Sequence, residues 1–252
     1  MNKIITGKNI TKAFGFGTQQ TKALNGVTTE IEKGEFVAVM GPSGSGKSTL
    51  LFALSGMDDI TNGSVKLIDT ELSKLHENKL ADLRRTRMGF IFQQPTMLKN
   101  LNILDNIILP TLQDGKKDRV KLIQKAKTLM KKTGIEGLEH RDITEVSGGQ
   151  LQRVGICRAL MNSPEIIFAD EPTGALNSKS AEHIMDLLVD INSAGTAILL
   201  VTHDAKVAAR ADRVLFMKDG NIVSEITLQK WSSTDILSRT DKILSQMASV
   251  EI

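Results

Sequence analysis

The segment of this sequence best suited to chemistry is the glycine-rich octet Gly41-Pro42-Ser43-Gly44-Ser45-Gly46-Lys47-Ser48. Its spacing fits G-x-x-x-x-G-K-[ST], in which backbone N–H groups surround a nucleotide's phosphates and a lysine neutralises them. The glycines let the backbone come close to the phosphates. Lys47 is expected to reach the β- and γ-phosphates and Ser48 to ligate Mg2+. Thr49 is expected near the α-phosphate at a helix N-terminus, where the dipole favours anions. A second chemical segment is the apolar run 166–169, which ends in the adjacent acids Asp170 and Glu171. Acids at a strand's C-terminal end suit a site for metal and water. Neighbouring strand side chains face opposite ways, so the two need not share a role. Asp170 is placed to hold Mg2+ through water, and Glu171 to orient and deprotonate the attacking water. A third segment, Ser147-Gly148-Gly149-Gln150, lies about a hundred residues beyond the octet and makes the combination more specific than the octet alone.

These segments need elements to position them. Residues 4–10 and 26–31 alternate apolar and polar side chains, as half-buried strands do. Residues 35–40 form an apolar run that ends at the octet, and 47–54 read as a helix, so strand, loop and helix follow in the order a phosphate loop requires. Apolar runs recur at 165–169 and 196–201, each beside a helical pattern, which predicts an α/β core with a parallel sheet. Between them the character changes. Residues 101–112 and 120–133 have helical spacing around the turn-prone pair Asp114-Gly115, which predicts a helical subdomain inserted at about 95–146. From Trp231 onward, Ile236, Leu237, Ile243, Leu244 and Met247 recur at helical intervals. A helix packed on the sheet is the simplest reading, with Trp231 as packing.

Composition narrows the classes. The chain of 252 residues carries a formal charge of +3, with a basic knot at 116–119 and another at Lys131-Lys132, better read as solvated helix faces than as a nucleic-acid surface. The single cysteine, Cys157, excludes an internal disulfide and reads as a small buried hydrophobe. No apolar run approaches the roughly 18 residues that span a bilayer, and no signal-peptide pattern opens the chain, so a cytoplasmic location is expected.

Gly41–Ser48, Gln93, Ser147–Gln150, Asp170-Glu171 and His203 stand in the order seen in ATP-binding cassette ATPases, and the chain resembles that family from Ile4 to about Ile226. The most specific element, 146–153, is similar to the signature sequence that names the family. The resemblance implies an α/β P-loop NTPase core, a parallel sheet flanked by helices with an N-terminal antiparallel β region, plus the inserted helical subdomain. The expected division is a single ATPase domain over 1–252, with core at 1–94 and 147–226, helical subdomain at 95–146 and a C-terminal helical extension at 227–252. It implies ATP and Mg2+ as cofactors and a head-to-tail homodimer in the ATP-bound state. Each ATP then lies between one subunit's Pro42, Ser43, Ser45 and neighbouring loop residues and the other subunit's Ser147, Gly148, Gly149 and Gln150. Gln93 matches the glutamine that senses Mg2+ and the attacking water, His203 the switch histidine at the γ-phosphate, and Phe14 the aromatic that stacks on adenine. Asn177 stands where the family generally has an aspartate that links the two ATP sites.

A partner must supply any membrane pathway. The docking groove is expected near 93–104, with Pro95-Thr-Met-Leu98 as exposed apolar anchors. The resemblance to the macrolide-export and lipoprotein-release branch, and most to its bacitracin- and lantibiotic-resistance type, implies a transmembrane FtsX-like permease as partner, with this chain at the cytoplasmic face of the cell membrane. It also implies a role in antimicrobial peptide export or resistance, the alternatives being lipoprotein release, macrolide export or a regulatory cassette that gates a membrane partner without moving cargo. A sensor histidine kinase is a further partner of that type, and no nucleic acid is expected.

Overall fold

The structure, a computed structural model, describes residues 3–15, 20–114 and 118–252. Gly115 and the basic pair Lys116-Lys117 lie outside the described residues. A four-stranded antiparallel sheet has the order β2-β1-β4-β5, formed by β1 (Lys3–Phe14), β2 (Thr21–Glu32), β4 (Asn62–Leu67) and β5 (Thr70–Glu71). The central sheet has six strands in the order β10-β9-β3-β8-β7-β6. These are β3 (Phe36–Met40), β6 (Met88–Phe92), β7 (Ile166–Asp170), β8 (Ala197–Val201), β9 (Arg213–Lys218) and β10 (Asn221–Thr227). All neighbours in it are parallel except β10 on β9.

Alternation along the buried strands builds two cores from one sheet. On β3, Val37 and Val39 face one apolar cluster, and Phe36, Ala38 and Met40 face another. Both faces are covered, so the strand reads as an unbroken apolar run. The first cluster takes in α1 (Lys47–Leu54) and the antiparallel sheet; the second takes in α6 (Ser178–Ser193) and part of α8 (Ile236–Ser249). Two further helices, α2 (Glu77–Arg87) and α7 (Ala205–Ala208), flank the central sheet.

A third cluster belongs to the helical region. It joins α3 (Ile103–Ile108), α4 (Arg119–Lys132) and α5 (Gly148–Leu160). On α4 the buried residues Leu122, Ala126 and Met130 recur at every fourth position, a single stripe. The helix expected over 101–112 is shorter: α3 ends at Ile108 and tightens into a 3-10 segment, Leu109–Asp114. Pro110 has no N–H to donate to an α-helical ladder there. Cys157 is fully buried in this cluster, and burial pushes its thiol up to about 11.

The C-terminal helix is held by its own anchor. Arg239, buried, donates from Nε to Ala209 O at 2.5 Å and from Nη2 to Ala211 O at 2.6 Å. Trp231 lies against the guanidinium groups of Arg210 and Arg239, at 5.5 and 5.6 Å, a packing role worth about 0.5–1 kcal/mol per exposed pair. Ile243 of α8 enters the second cluster, while Leu237 and Leu244 face solvent. Among the described residues, no helix is long and apolar enough to cross a membrane.

Candidate active site

Four neighbouring parallel strands, in the order β3, β8, β7 and β6, bring their C-terminal ends to one edge of the central sheet. β3 leads into Gly41, β8 into Thr202-His203, β7 ends at Asp170 before Glu171, and β6 ends at Phe92 before Gln93. Residues far apart in the chain thus arrive side by side because of strand order. Such carboxyl ends are where open α/β sheets bind ligands. Residues 41–44 and 46–49, with Glu171 and His203, line one cleft of about 550 Å3.

The loop's path requires glycine. Gly46 has φ +97°, and a Cβ there would fall 2.4 Å from the carbonyl oxygen of Ala23. Lys47 bends back over its own loop and donates from Nζ to Gly41 O at 2.9 Å and Pro42 O at 2.8 Å. Burial pulls the Lys47 ammonium below the usual lysine range, with Glu171 and Asp170 pulling the other way. Ser48 Oγ donates to Asp170 Oδ1 at 2.9 Å. Burial raises the Asp170 carboxyl above the usual aspartate range, and this bond opposes it.

Beside these groups, His203 Nδ1 is 3.1 Å from Glu171 Oε1. Glu171 sits in the left-handed region at φ +44°, a conformation costing of order 1–3 kcal/mol for a non-glycine residue. Its N–H donates to Val201 O at 3.0 Å, which ties the turn to β8. Gln93 reaches the same place from β6. A Cβ built on Gly174 would lie 2.9 Å from Gln93 Nε2 and 3.2 Å from Glu171 Oε2. Gly174 therefore leaves the room that both side chains occupy, a role its place in 172–176 does not announce.

The cleft fits a nucleoside triphosphate with a divalent cation. Ser45 is buried, with no hydrogen-bond partner for its hydroxyl among the described residues, and does not itself line the cleft. Asp170 is desolvated against a neutral hydroxyl, so a cation at its free oxygen would favour the charged form. Among the described residues, no group of three or more His, Cys, Asp or Glu side chains is placed to hold a metal alone. Mg2+ keeps waters and substrate phosphates among its ligands, so Ser48 and Asp170 would hold it together with the nucleotide.

The remaining candidates lie away from this cleft. Ser147 caps α5: its Oγ accepts from Gln150 N at 3.3 Å, and Gln150 Oε1 accepts from Ser147 N at 2.8 Å. This reciprocal cap turns the Gln150 side chain onto its own helix. The N–H groups of Gly148 and Gly149 fall in the first turn, where the helix offers no acceptor. Ser147–Gln150 do not line the cleft of their own chain. Phe14 ends β1 with its ring half exposed and Lys12 Nζ 5.0 Å from its centroid. Asn177 caps α6, accepting from Ser180 N at 2.9 Å. Of the expected docking anchors, Leu98 is exposed but Met97 is buried in the helical cluster with Ile103 and Val154.

The chain is similar to known proteins in sequence and in fold. The family profile described as ABC transporter matches residues 24–174. A macrolide export ATP-binding/permease protein MacB of Mannheimia succiniciproducens is 44% identical over 222 residues, 88% of this chain and 34% of that protein. A protein of Pseudomonas syringae described as a probable syringafactin export ATP-binding/permease protein is 45% identical over 217 residues, 86% of this chain and 33% of its own length. The chain thus spans about a third of the length of these relatives. Among solved structures, a dimeric ATP-binding cassette in a post-hydrolysis state bound to ADP and Pi is 38% identical. It has a TM-score of 0.84 and covers 90% of this chain and 100% of its own. A dimeric bacterial ABC transporter cassette aligns with the same TM-score at 39% identity, again over 90% of this chain and 100% of that one.

Proposed function

Because the chain belongs to the ABC transporter family, we propose that it is the ATP-hydrolysing subunit that drives a membrane permease, working as a pair of copies closed on ATP. It is an ATPase whose cofactors are ATP and Mg2+. The observation that carries the mechanism is the cleft where the phosphate loop, Glu171 and His203 meet. Lys47 leaves the carbonyls of Gly41 and Pro42 to neutralise the phosphates. Bound Mg2+ supplies further neutralisation of the phosphate oxygens, held through Ser48 and Asp170 with Gln93 nearby. Glu171 takes the proton of the attacking water, and His203 orients that carboxylate. Phe14 stacks on the adenine.

The second half of each site comes from the other copy. Gly148 and Gly149 offer unsatisfied N–H donors that their own cleft does not use, and a helix N-terminus favours an anion. Dimeric cassettes among the solved relatives support this arrangement. Asn177 enters here as well. Aspartate caps a helix as well as asparagine does, so Asn177→Asp should leave the fold intact while restoring a charge near the pairing surface. Its expected effect is a changed ATP-concentration dependence of turnover; an unaltered turnover curve would remove Asn177 from coupling.

The permease reading rests on the relatives that unite ATP-binding and permease parts in one protein. A groove of about 310 Å3 supports it, lined by Met57, Arg84, Phe90, Phe92, Pro110 and Arg158, and so beside the 93–104 stretch where docking was expected rather than on it. An amphipathic permease helix with acidic ends suits such a groove. The permease is proposed as FtsX-like and the location as the cytoplasmic membrane face. The cargo is proposed as antimicrobial peptide; macrolide export is the second reading, favoured by the MacB similarity. Loss of the gene should raise sensitivity to bacitracin or a lantibiotic severalfold and leave macrolide sensitivity unchanged. The reverse pattern selects the second reading.

A further inference from the structure

One end of α1 opens at the phosphate loop, and its other end is tied to the ring of Phe14. β1 runs past the start of β4: Thr11 is the last of its residues paired there, opposite Asn62. Beyond that point β2 still pairs with β1 on one side, Phe14 with Thr21. On the other side the stretch 58–61 takes the place of a strand. Thr61 donates its N–H to Thr11 O at 2.7 Å and accepts at Oγ1 from Ala13 N at 3.1 Å. Lys12, its side chain largely buried, donates from Nζ to Asp58 Oδ1 and to Asp59 O, each at 2.6 Å. That ammonium stands over the Phe14 ring, 5.0 Å from the centroid.

Asp58 is itself fixed to α1. The N–H groups of Met57 and Asp58 both donate to Phe52 O, at 2.9 and 3.2 Å. A continuous line of contacts therefore runs from Lys47 along the eight residues of α1, about 12 Å, to Asp58, Lys12 and Phe14. The ammonium acts on the ring in two ways. It occupies one face, which leaves the other for a base. It also draws π density toward itself, which weakens the negative face that a purine's own π cloud would meet. An untethered lysine would do neither steadily, because holding a long side chain in one rotamer costs entropy; two acceptors hold this one. We propose that Lys12 and Asp58 are positioning residues for the nucleobase. Lys12 fixes and polarises the Phe14 platform, and Asp58 ties it to the helix that starts at the phosphate loop, so the base and phosphate subsites keep one spacing. This rests on the reading of Phe14 as the ring that stacks on adenine.

The test titrates the full chain with a non-hydrolysable ATP analogue and with inorganic tripolyphosphate, which has the phosphates and no base. Lys12→Met is expected to weaken the analogue about tenfold and to leave tripolyphosphate affinity unchanged. In a Phe14→Ala background the same substitution should cost less than about twofold, because its effect runs through the ring. Lys12→Arg keeps a cation over the ring and should bind the analogue within about threefold of native. Asp58→Asn keeps the shape but removes the charge that holds the ammonium, and should show the Lys12→Met pattern at about threefold. If Lys12→Met does not fold, Asp58→Asn carries the same test. Unchanged analogue affinity in both variants, an equal loss for tripolyphosphate, or an equal fold-loss with and without the ring overturns the positioning role. Phe14→Ala that weakens the analogue beside additive Lys12 variants removes this proposal alone. Phe14→Ala at native analogue affinity removes the reading of Phe14 and this proposal with it.

Discussion

Glu171→Gln is expected to lower ATP turnover by about 10²–10⁴ while leaving nucleotide affinity nearly unchanged. The amide has the shape of the carboxylate and fits the same left-handed turn, so the tie from residue 171 N–H to Val201 O persists. An amide cannot take the water's proton. Loss of general-base assistance on that scale corresponds to roughly 3–5 kcal/mol of barrier. Lys47, Ser48 and Asp170 are untouched, so binding survives and ATP-closed pairs should accumulate. Steady-state hydrolysis, nucleotide titration and size exclusion with ATP measure the three effects. Hydrolysis at the native rate would assign the base elsewhere.

Gly148→Asp should abolish ATP-driven pairing and lower turnover by about a thousandfold without loss of stability. A Cβ at Gly148 meets nothing within 4 Å in its own chain. An acidic residue in a helix's first turn is stabilising by about 0.3–1 kcal/mol. The harm arises only when a phosphate approaches. Two negative charges about 4 Å apart repel by about 4 kcal/mol at an effective dielectric near 20, which is about three orders of magnitude in rate. Gly148→Ala, with the same bulk at Cβ and no charge, should stay within a few fold of native. Thermal melting, light scattering with ATP and turnover check the claim. Normal pairing by Gly148→Asp would take the α5 N-terminus out of the phosphate site.

How far the sequence could be read follows from what kind of contact each feature uses. Strand β3 was legible because five consecutive buried side chains leave an apolar run. The octet was legible because its path excludes side chains, as Gly46 beside Ala23 O shows. The convergence of 41–48, His203 and Glu171 needed only parallel strands ending at one edge. The hydrogen bonds from Gln152 to Phe92 O and from Arg158 to Thr96 O were not legible, since both end on backbone carbonyls that every residue possesses. Met97 looked like an anchor because an exposed and a buried methionine read alike. Its burial comes from the cluster it joins with Ile103, Val154 and Cys157, which are brought together only by the fold. The cap that engages Gln150 was hidden because Ser-Gly-Gly-Gln serves a helix start and an anion site with the same letters.

The central claim is that each ATP site is built from two copies, and mixed pairs test it most directly. One pair joins a Lys47→Ala copy to a Gly148→Asp copy; the other joins native chain to a copy carrying both substitutions. If each site takes its phosphate loop from one copy and its α5 N-terminus from the other, the first pair gathers both lesions into one site and keeps one site whole. The second pair then has a lesion in each site. ATP turnover by tagged, purified pairs should therefore be higher in the first pair than in the second, with either single-substitution homodimer inactive. Higher turnover in the second pair would mean that loop and α5 N-terminus serve the same chain, and would contradict the account.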